Sequence, residues 1–219
     1  MNLFKDRVEA GKRLASALRS TAGKGAIVLA IPRGGVVVGF EVARALGLPL
    51  DVIIPRKIGA PDNPELAIGA VTEDGTIILD ESLVSYLGVS EAYVKEESNR
   101  QKLEIERRLK LYRGEAPYPT LRNRDVIIVD DGIATGSTMK AALASTRKRG
   151  AKRIVVAIPV GPASTIRELE KEADHVVCLH TPESFQAIGQ FYEDFAQTTD
   201  EEVTSSLKLS RQKKDLNAS

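Results

Sequence analysis

The chain has 219 residues, is 42% hydrophobic and 28% charged, and carries a formal net charge of +1. That length supports one domain with a substantial core, and so even a charge gives bulk electrostatics no hold on nucleic acid or a membrane surface. A single cysteine, Cys178, excludes an intrachain disulfide and a cysteine-rich zinc site; set in the apolar run 176–179, it reads as a buried structural thiol.

Lys5, Asp6 and Arg7 put charges early in the chain, so no signal peptide is expected. Apolar runs such as 154–159 have strand length and cannot span a bilayer, and a cytoplasmic location is the expectation. In chain order, residues 2–21 have helical periodicity, with Phe4, Val8, Gly11, Leu14, Ala15 and Leu18 on one face. Residues 26–31 read as a strand, 32–35 as a turn, and 36–46 as a helix closed by Gly47. A strand follows at 50–55, then a polar loop over 56–66 rich in Gly, Pro and Asn. Residues 67–71 and 76–79 read as short strands around the turn Glu73-Asp74-Gly75.

Residues 91–113 form a long charged helix with an apolar stripe at Val94, Ile105, Leu109 and Tyr112, expected at the periphery or at a subunit contact. Strand 125–130, helix 137–149, strand 153–159, helix 163–172 and strand 175–179 complete the pattern. Residues 181–205 are aromatic and polar, and 206–219 read as a disordered tail. Alternating strands and helices predict an α/β fold with a parallel sheet flanked by helices; its ligand belongs beyond the carboxyl ends of the strands. Loops 32–35, 56–66 and 131–138 fall there.

Residues 126–138 read V-I-I-V-D-D-G-I-A-T-G-S-T. A buried strand runs into Asp130 and Asp131, and two carboxylates at such a place need hydroxyls, a cation or N–H groups as partners. Gly132, Thr135, Gly136, Ser137 and Thr138 then offer backbone amides and hydroxyls at a helix N-terminus, where an anion is favoured. The plain alternative is an Asp-Gly turn with a Ser/Thr N-cap. The lysine of a nucleotide P-loop is missing, and no G-x-G-x-x-G follows a strand.

This thirteen-residue stretch closely resembles the signature of type I phosphoribosyltransferases, which bind 5-phosphoribosyl-1-pyrophosphate (PRPP). The resemblance covers roughly residues 25–180 and implies a type I phosphoribosyltransferase core over 1–180 with a small C-terminal hood over 181–205. It implies that Asp130 and Asp131 hold the ribose hydroxyls, while Gly132, Ala134, Thr135, Gly136, Ser137 and Thr138 wrap the 5′-phosphate. Ala30-Ile31-Pro32-Arg33-Gly34-Gly35 is similar to the family's pyrophosphate loop, which often contains a non-proline cis peptide; Arg33, Gly34 and Gly35 would face the pyrophosphate. Arg56 and Lys57 suit a pyrophosphate leaving group, and loop 58–66 has the composition of a lid. Mg²⁺ is the implied cofactor, held mainly by PRPP oxygens and water, with help from Asp130 and Asp131.

The D-R-x-E-A-G-x-x-L-A stretch at 6–15, R-K-I-G-A-P with P-E-L-A-I-G-A-V at 56–71, and P-x-x-F-x-A-I-G-x-F-Y at 182–192 are similar to a bacterial and archaeal phosphoribosyltransferase group of unassigned acceptor. In the hypoxanthine-guanine branch an acid stands where this chain has Ala134; the adenine branch carries Ala there and an Arg-Lys pair before its lid. Glu65 sits in a place comparable to that branch's lid glutamate, a general acid or base if closure raises its pKa, with a solvated loop carboxylate as the alternative. Phe185, Phe191 and Tyr192 are candidates to stack on an acceptor base, with hood-core packing as the alternative; a lone His180 reads as structural. The expected activity is transfer of the phosphoribosyl group from PRPP to a small nitrogen acceptor, with release of pyrophosphate. A homo-oligomer, a dimer in the first instance, is expected, with no nucleic-acid or membrane partner. A PRPP- or nucleotide-sensing regulator on the same fold is the alternative.

Overall fold

A computed structural model of the chain describes residues 3–23 and 25–216. Its centre is a five-stranded parallel sheet in the order β2-β1-β6-β7-β8, with β1 Ile27–Ala30, β2 Leu50–Val52, β6 Asp125–Val129, β7 Arg153–Val160 and β8 His175–His180. Side chains alternate along these strands and feed two cores. On one face Val28, Ala30, Ile127 and Val129 meet α1 (Arg7–Leu18), α2 (Gly34–Leu46), α4 (Glu91–Arg113) and α7 (Asp200–Leu216). On the other, Ile27, Leu29, Val126 and Ile128 meet α5 (Ser137–Lys148) and α6 (Ala163–Leu169). The central strands are apolar throughout because both faces are covered.

Helix α1 begins at Arg7, not at residue 2, because the Asp6 carboxylate caps it by accepting the Glu9 N–H at 2.8 Å. Leu3 and Phe4 donate to the Phe191 carbonyl at 2.9 Å, and Phe4 bridges Tyr192, so the N-terminus straps the hood to the core.

The polar loop expected at 56–66 is instead a β-hairpin. Strand β3 (Arg56–Ala60) pairs antiparallel with β4 (Asn63–Val71), which pairs with β5 (Ile77–Leu79) in a separate three-stranded sheet. The Gly and Pro that suggest a loop mark an irregularity in register: a Cβ on Gly59 would lie 2.6 Å from the Pro64 carbonyl oxygen, so only glycine fits there. Ile58, Ala60 and Ile68 anchor the arm in the core.

A short helix unmarked by periodicity, α3 (Glu81–Leu87), is capped by Asp80, whose Oδ1 accepts the Leu83 N–H at 3.0 Å. Helix α4 has the expected bounds, and Val94, Ile105 and Tyr112 are buried as the stripe requires. It packs on β3, β4 and α7, and at its end the buried Arg113 donates to Asp51 Oδ1 at 2.7 Å and the Val52 carbonyl at 2.6 Å, tying the helix to β2.

The disordered tail expected over 206–219 is helical over its described residues, 206–216. Residues 200–216 form α7, and Val203 and Leu207 are fully buried beside α4 and α2; residues 217–219 lie outside the described residues. Burying a Leu side chain contributes roughly 1.5–3 kcal/mol, enough to hold a charged helix whose own propensity is weak. Of the segment expected as a hood over 181–205, residues 181–199 are irregular with a 3₁₀ turn at Ile188–Phe191, and 200–205 belong to α7. Cys178 is partly buried; burial raises its thiol pKa, and Sγ donates to the His180 carbonyl at 3.2 Å.

Candidate active site

Strands β2, β1 and β6 are neighbours, so the chain segments leaving their carboxyl ends emerge side by side. Two of these segments touch. Ile31 donates to the Val129 carbonyl at 2.9 Å, and the Pro32–Arg33 peptide that follows is cis, as the resemblance implies. Helix α2 then starts on two glycines packed against the acid pair. A Cβ on Gly34 would overlap Asp131 Oδ2 and sit 2.7 Å from Arg7 Nε. One on Gly35 would lie 2.9 Å from both Cα and Oδ1 of Asp130. The Gly-Gly pair lets one loop's backbone lie directly on the other's carboxylates.

Asp130 and Asp131 stand at the end of β6. Asp130 Oδ1 accepts the Asp131 N–H at 2.8 Å, and Asp131 Oδ2 takes the Arg7 Nε–H at 2.7 Å. Desolvation, reinforced by the charge on Asp131, pushes the Asp130 carboxyl well above the usual range. Desolvation also raises Asp131, while Arg7 pulls it back. The acids are thus held close in a confined place, the condition under which they gain most from ribose hydroxyls or a cation.

The next loop is fixed at its ends and open in its middle. Ile133 is buried and donates to the Val160 carbonyl at 3.0 Å, and Thr165 Oγ1 donates to the Ala134 carbonyl at 2.8 Å. Ala134 and Thr135 are exposed, and Thr135 Oγ1 lies 3.3 Å from Ser137 Oγ. Gly136 enters α5 with φ of 78°, and no side chain caps the helix. The first-turn amides, with the Ser137 and Thr138 hydroxyls, make a seat for an anion. The plain Asp-Gly turn with a Ser/Thr cap is not what forms.

Arg33 is partly exposed, 4.0 Å from Asp200 Oδ1 at the start of α7, and the Tyr112 hydroxyl donates to the same Asp200 oxygen. Arg56 donates from Nε to Gln101 Oε1 at 2.9 Å, and burial followed by Arg108 lowers its pKa. Lys57 Nζ pairs with Glu65 Oε2 at 2.7 Å across the hairpin. Glu65 is 88% exposed, and the hydrogen bond from Lys57 lowers its pKa. It stands here as an ionised carboxylate, the opposite of the raised pKa a general acid requires.

The expectation that Phe185, Phe191 and Tyr192 stack on an acceptor needs correction. Phe191 and Tyr192 are buried, in a cluster with Phe4, Ala10 and Val160; Phe185 packs on Phe191 with ring centroids 5.5 Å apart, and Tyr192 lies 5.3 Å from Phe4 and 5.0 Å from Phe195. Phe191 and Tyr192 thus serve as core, the packing alternative, while Phe185 is half-buried against them. The Tyr192 hydroxyl donates to the Asp131 carbonyl at 2.6 Å and so supports the acid loop from below.

Sequence reasoning missed Arg7, Tyr112 and Asp200. Arg7 had a visible signal: a cation in the first turn of a helix opposes the macrodipole, so it needs a partner elsewhere in the fold. Asp200 carries no local signal, since only α7 brings it to Arg33, and Tyr112 reads as part of the α4 stripe although its hydroxyl reaches Asp200. Among the described residues no group of three or more His, Cys, Asp or Glu is arranged to hold a metal, and no helix is long and apolar enough to cross a membrane.

The family model for the phosphoribosyl transferase domain matches residues 3–196. The chain belongs to the phosphoribosyl transferase family. Two Mycobacterium tuberculosis proteins, from strains CDC 1551 and H37Rv and provisionally named phosphoribosyl transferases, are each 45% identical over 207 residues, which is 94% of this chain and 47% of theirs. The chain therefore spans about half the length of the curated relatives it matches. The solved structure of TT1426 from Thermus thermophilus superposes with a TM-score of 0.81 at 43% identity, covering 94% of this chain and 98% of that one. A Neisseria gonorrhoeae protein, solved with bound ppGpp, is similar at a TM-score of 0.50 and 14% identity over 96% of this chain and 97% of its own, a likeness of fold alone. The type I phosphoribosyltransferase fold is thus the fold of this family member.

Proposed function

We propose that the chain transfers the 5-phosphoribosyl group of PRPP to a nitrogen nucleophile, a nucleobase or related heterocycle. The C1–O bond to pyrophosphate breaks, a C1–N bond forms, and the acceptor's proton leaves to a carboxylate or solvent. The observation that carries this reading is the packing of Gly34 and Gly35 on Asp131 and Asp130, beside an uncapped helix N-terminus. Asp130 and Asp131 would take the ribose hydroxyls, residues 132–138 the 5′-phosphate, and Arg33, Gly34 and Gly35 the pyrophosphate.

Lys57 and Arg56 would neutralise charge developing on the leaving group. Closure of the hairpin would bring Lys57 over the centre and keep water from an oxocarbenium-like ribosyl carbon. Glu65, whose basicity the Lys57 pair holds down, would accept the acceptor's proton once closure moves Lys57 onto the pyrophosphate and frees the carboxylate. The donor set fits Mg²⁺: an ion that keeps several waters needs few protein ligands, and Asp130 and Asp131 with PRPP oxygens would hold it. When bound, Mg²⁺ would neutralise pyrophosphate charge.

The test is pyrophosphate release from PRPP and Mg²⁺ across a panel of purine, pyrimidine and other nitrogen acceptors. At least one acceptor is expected to turn over, with Glu65→Gln slowing turnover roughly 10²–10⁴-fold at nearly unchanged PRPP affinity. Tight PRPP binding without turnover on any acceptor would replace transfer with sensing.

A further inference from the structure

Outside the three loops, Arg7 reaches the acid pair directly and has no role in the reading above. It leaves the start of α1 with its guanidinium carbon 3.8 Å above the Phe195 ring, and its side chain is 11% exposed. Nη1 donates to the Ala196 carbonyl at 2.8 Å, and Nε donates to Asp131 Oδ2 at 2.7 Å. The same Nε lies 2.7 Å from where a Cβ on Gly34 would stand. One planar group thus touches the hood, the pyrophosphate loop and the ribose loop.

We infer that Arg7 is a positioning residue for ribose. By taking Oδ2 it fixes the rotation of the Asp131 carboxylate and leaves Oδ1 for a ribose hydroxyl; the Phe195 face and the Ala196 carbonyl hold the guanidinium itself in place. The Asp6 cap and the strap at Phe4 set where α1 begins, and so where Arg7 can reach. This gives the D-R pair at 6–7 a purpose: Asp6 starts the helix so that Arg7 can orient Asp131. Arginine suits the task better than lysine, because stacking, carbonyl and carboxylate contacts are made by one rigid plane.

The inference rests on the PRPP reading, and the experiment separates the two. Calorimetric affinities for Mg²⁺-PRPP and for Mg²⁺-pyrophosphate are measured on wild type, Arg7→Gln, Arg7→Lys, Asp131→Asn and the Arg7→Gln/Asp131→Asn double variant. Arg7→Gln is expected to weaken PRPP roughly tenfold or more while pyrophosphate changes less than about twofold, and Arg7→Lys to fall between. In the Asp131→Asn background, Arg7→Gln should add less than about twofold. Undiminished PRPP affinity in Arg7→Gln would overturn the inference. So would an equal loss of PRPP and pyrophosphate, the mark of a residue that only holds the hood. A wild type that binds pyrophosphate but not PRPP would overturn the underlying reading and this assignment with it.

Discussion

Desolvation of the acid pair sets a conflict between stability and function at single residues. Asp130 is held where its charged form is disfavoured, and Asp131 beside it adds to the cost. Asp130→Asn removes that charge at nearly constant shape. It is expected to raise Tm by a few degrees at neutral pH, roughly 1 kcal/mol in a chain of this size, while abolishing the shift on adding PRPP. Differential scanning calorimetry with and without PRPP checks both halves; a lower Tm in the unliganded variant would contradict the account. Gly34→Ala makes the reverse test. Its methyl would overlap Asp131 Oδ2 and crowd Arg7, so PRPP binding should be lost along with roughly 1–3 kcal/mol of stability in urea unfolding.

Asp74 supplies the pH dependence. Burial works to raise its pKa, but hydrogen bonds from Thr72, Thr76 and Lys148 outweigh it and hold the carboxyl well below the usual range. A depressed native pKa stabilises the fold above the unfolded value and is lost as pH falls below about 4. Asp74→Asn should flatten that acid limb in a Tm-against-pH series. A limb as steep as that of wild type would exclude Asp74 as its source.

At the scale of elements, α7 and the β3–β4 hairpin show where patterns in the sequence stop being informative. Helix α4 was legible because Val94, Ile105 and Tyr112 keep one face over about five turns. Helix α7 was not, because among its described side chains Val203 and Leu207 alone are buried, on a helix otherwise dense in charge. Its stability comes from tertiary contact with α2 and α4, which no local window contains. In the hairpin, Gly59 and Pro64 read as loop formers, yet Gly59 is there so that the Pro64 backbone can approach. Leu207→Ala is therefore expected to cost roughly 2–5 kcal/mol in chemical denaturation, whereas a residue in a disordered tail would cost nothing.

For the whole molecule, sheet order does most of the functional work. Placing β1 between β2 and β6 brings loops some hundred residues apart in sequence into contact; the apolar strands and the acid pair at 130–131 put those loops at strand carboxyl ends, but the strand order that joins them came only with the fold. The alternation of strands and helices was legible for the same reason: each central strand had to be covered on both faces. What was not legible is the cross-chain closure of the site, in which the N-terminal Arg7 reaches Asp131 and the C-terminal Asp200 approaches Arg33. Both depend on distances set only after the whole chain has folded.

The most direct test of the central claim is the thermal shift of the wild-type chain with Mg²⁺ and PRPP, set against the Asp130→Asn/Asp131→Asn double variant. Ligand at about a hundred times its Kd should stabilise the wild type by roughly 2.7 kcal/mol, a rise of about 5–10 °C, and leave the double variant unmoved. No shift in the wild type at millimolar PRPP, or an equal shift in both proteins, would contradict the assignment of the PRPP site.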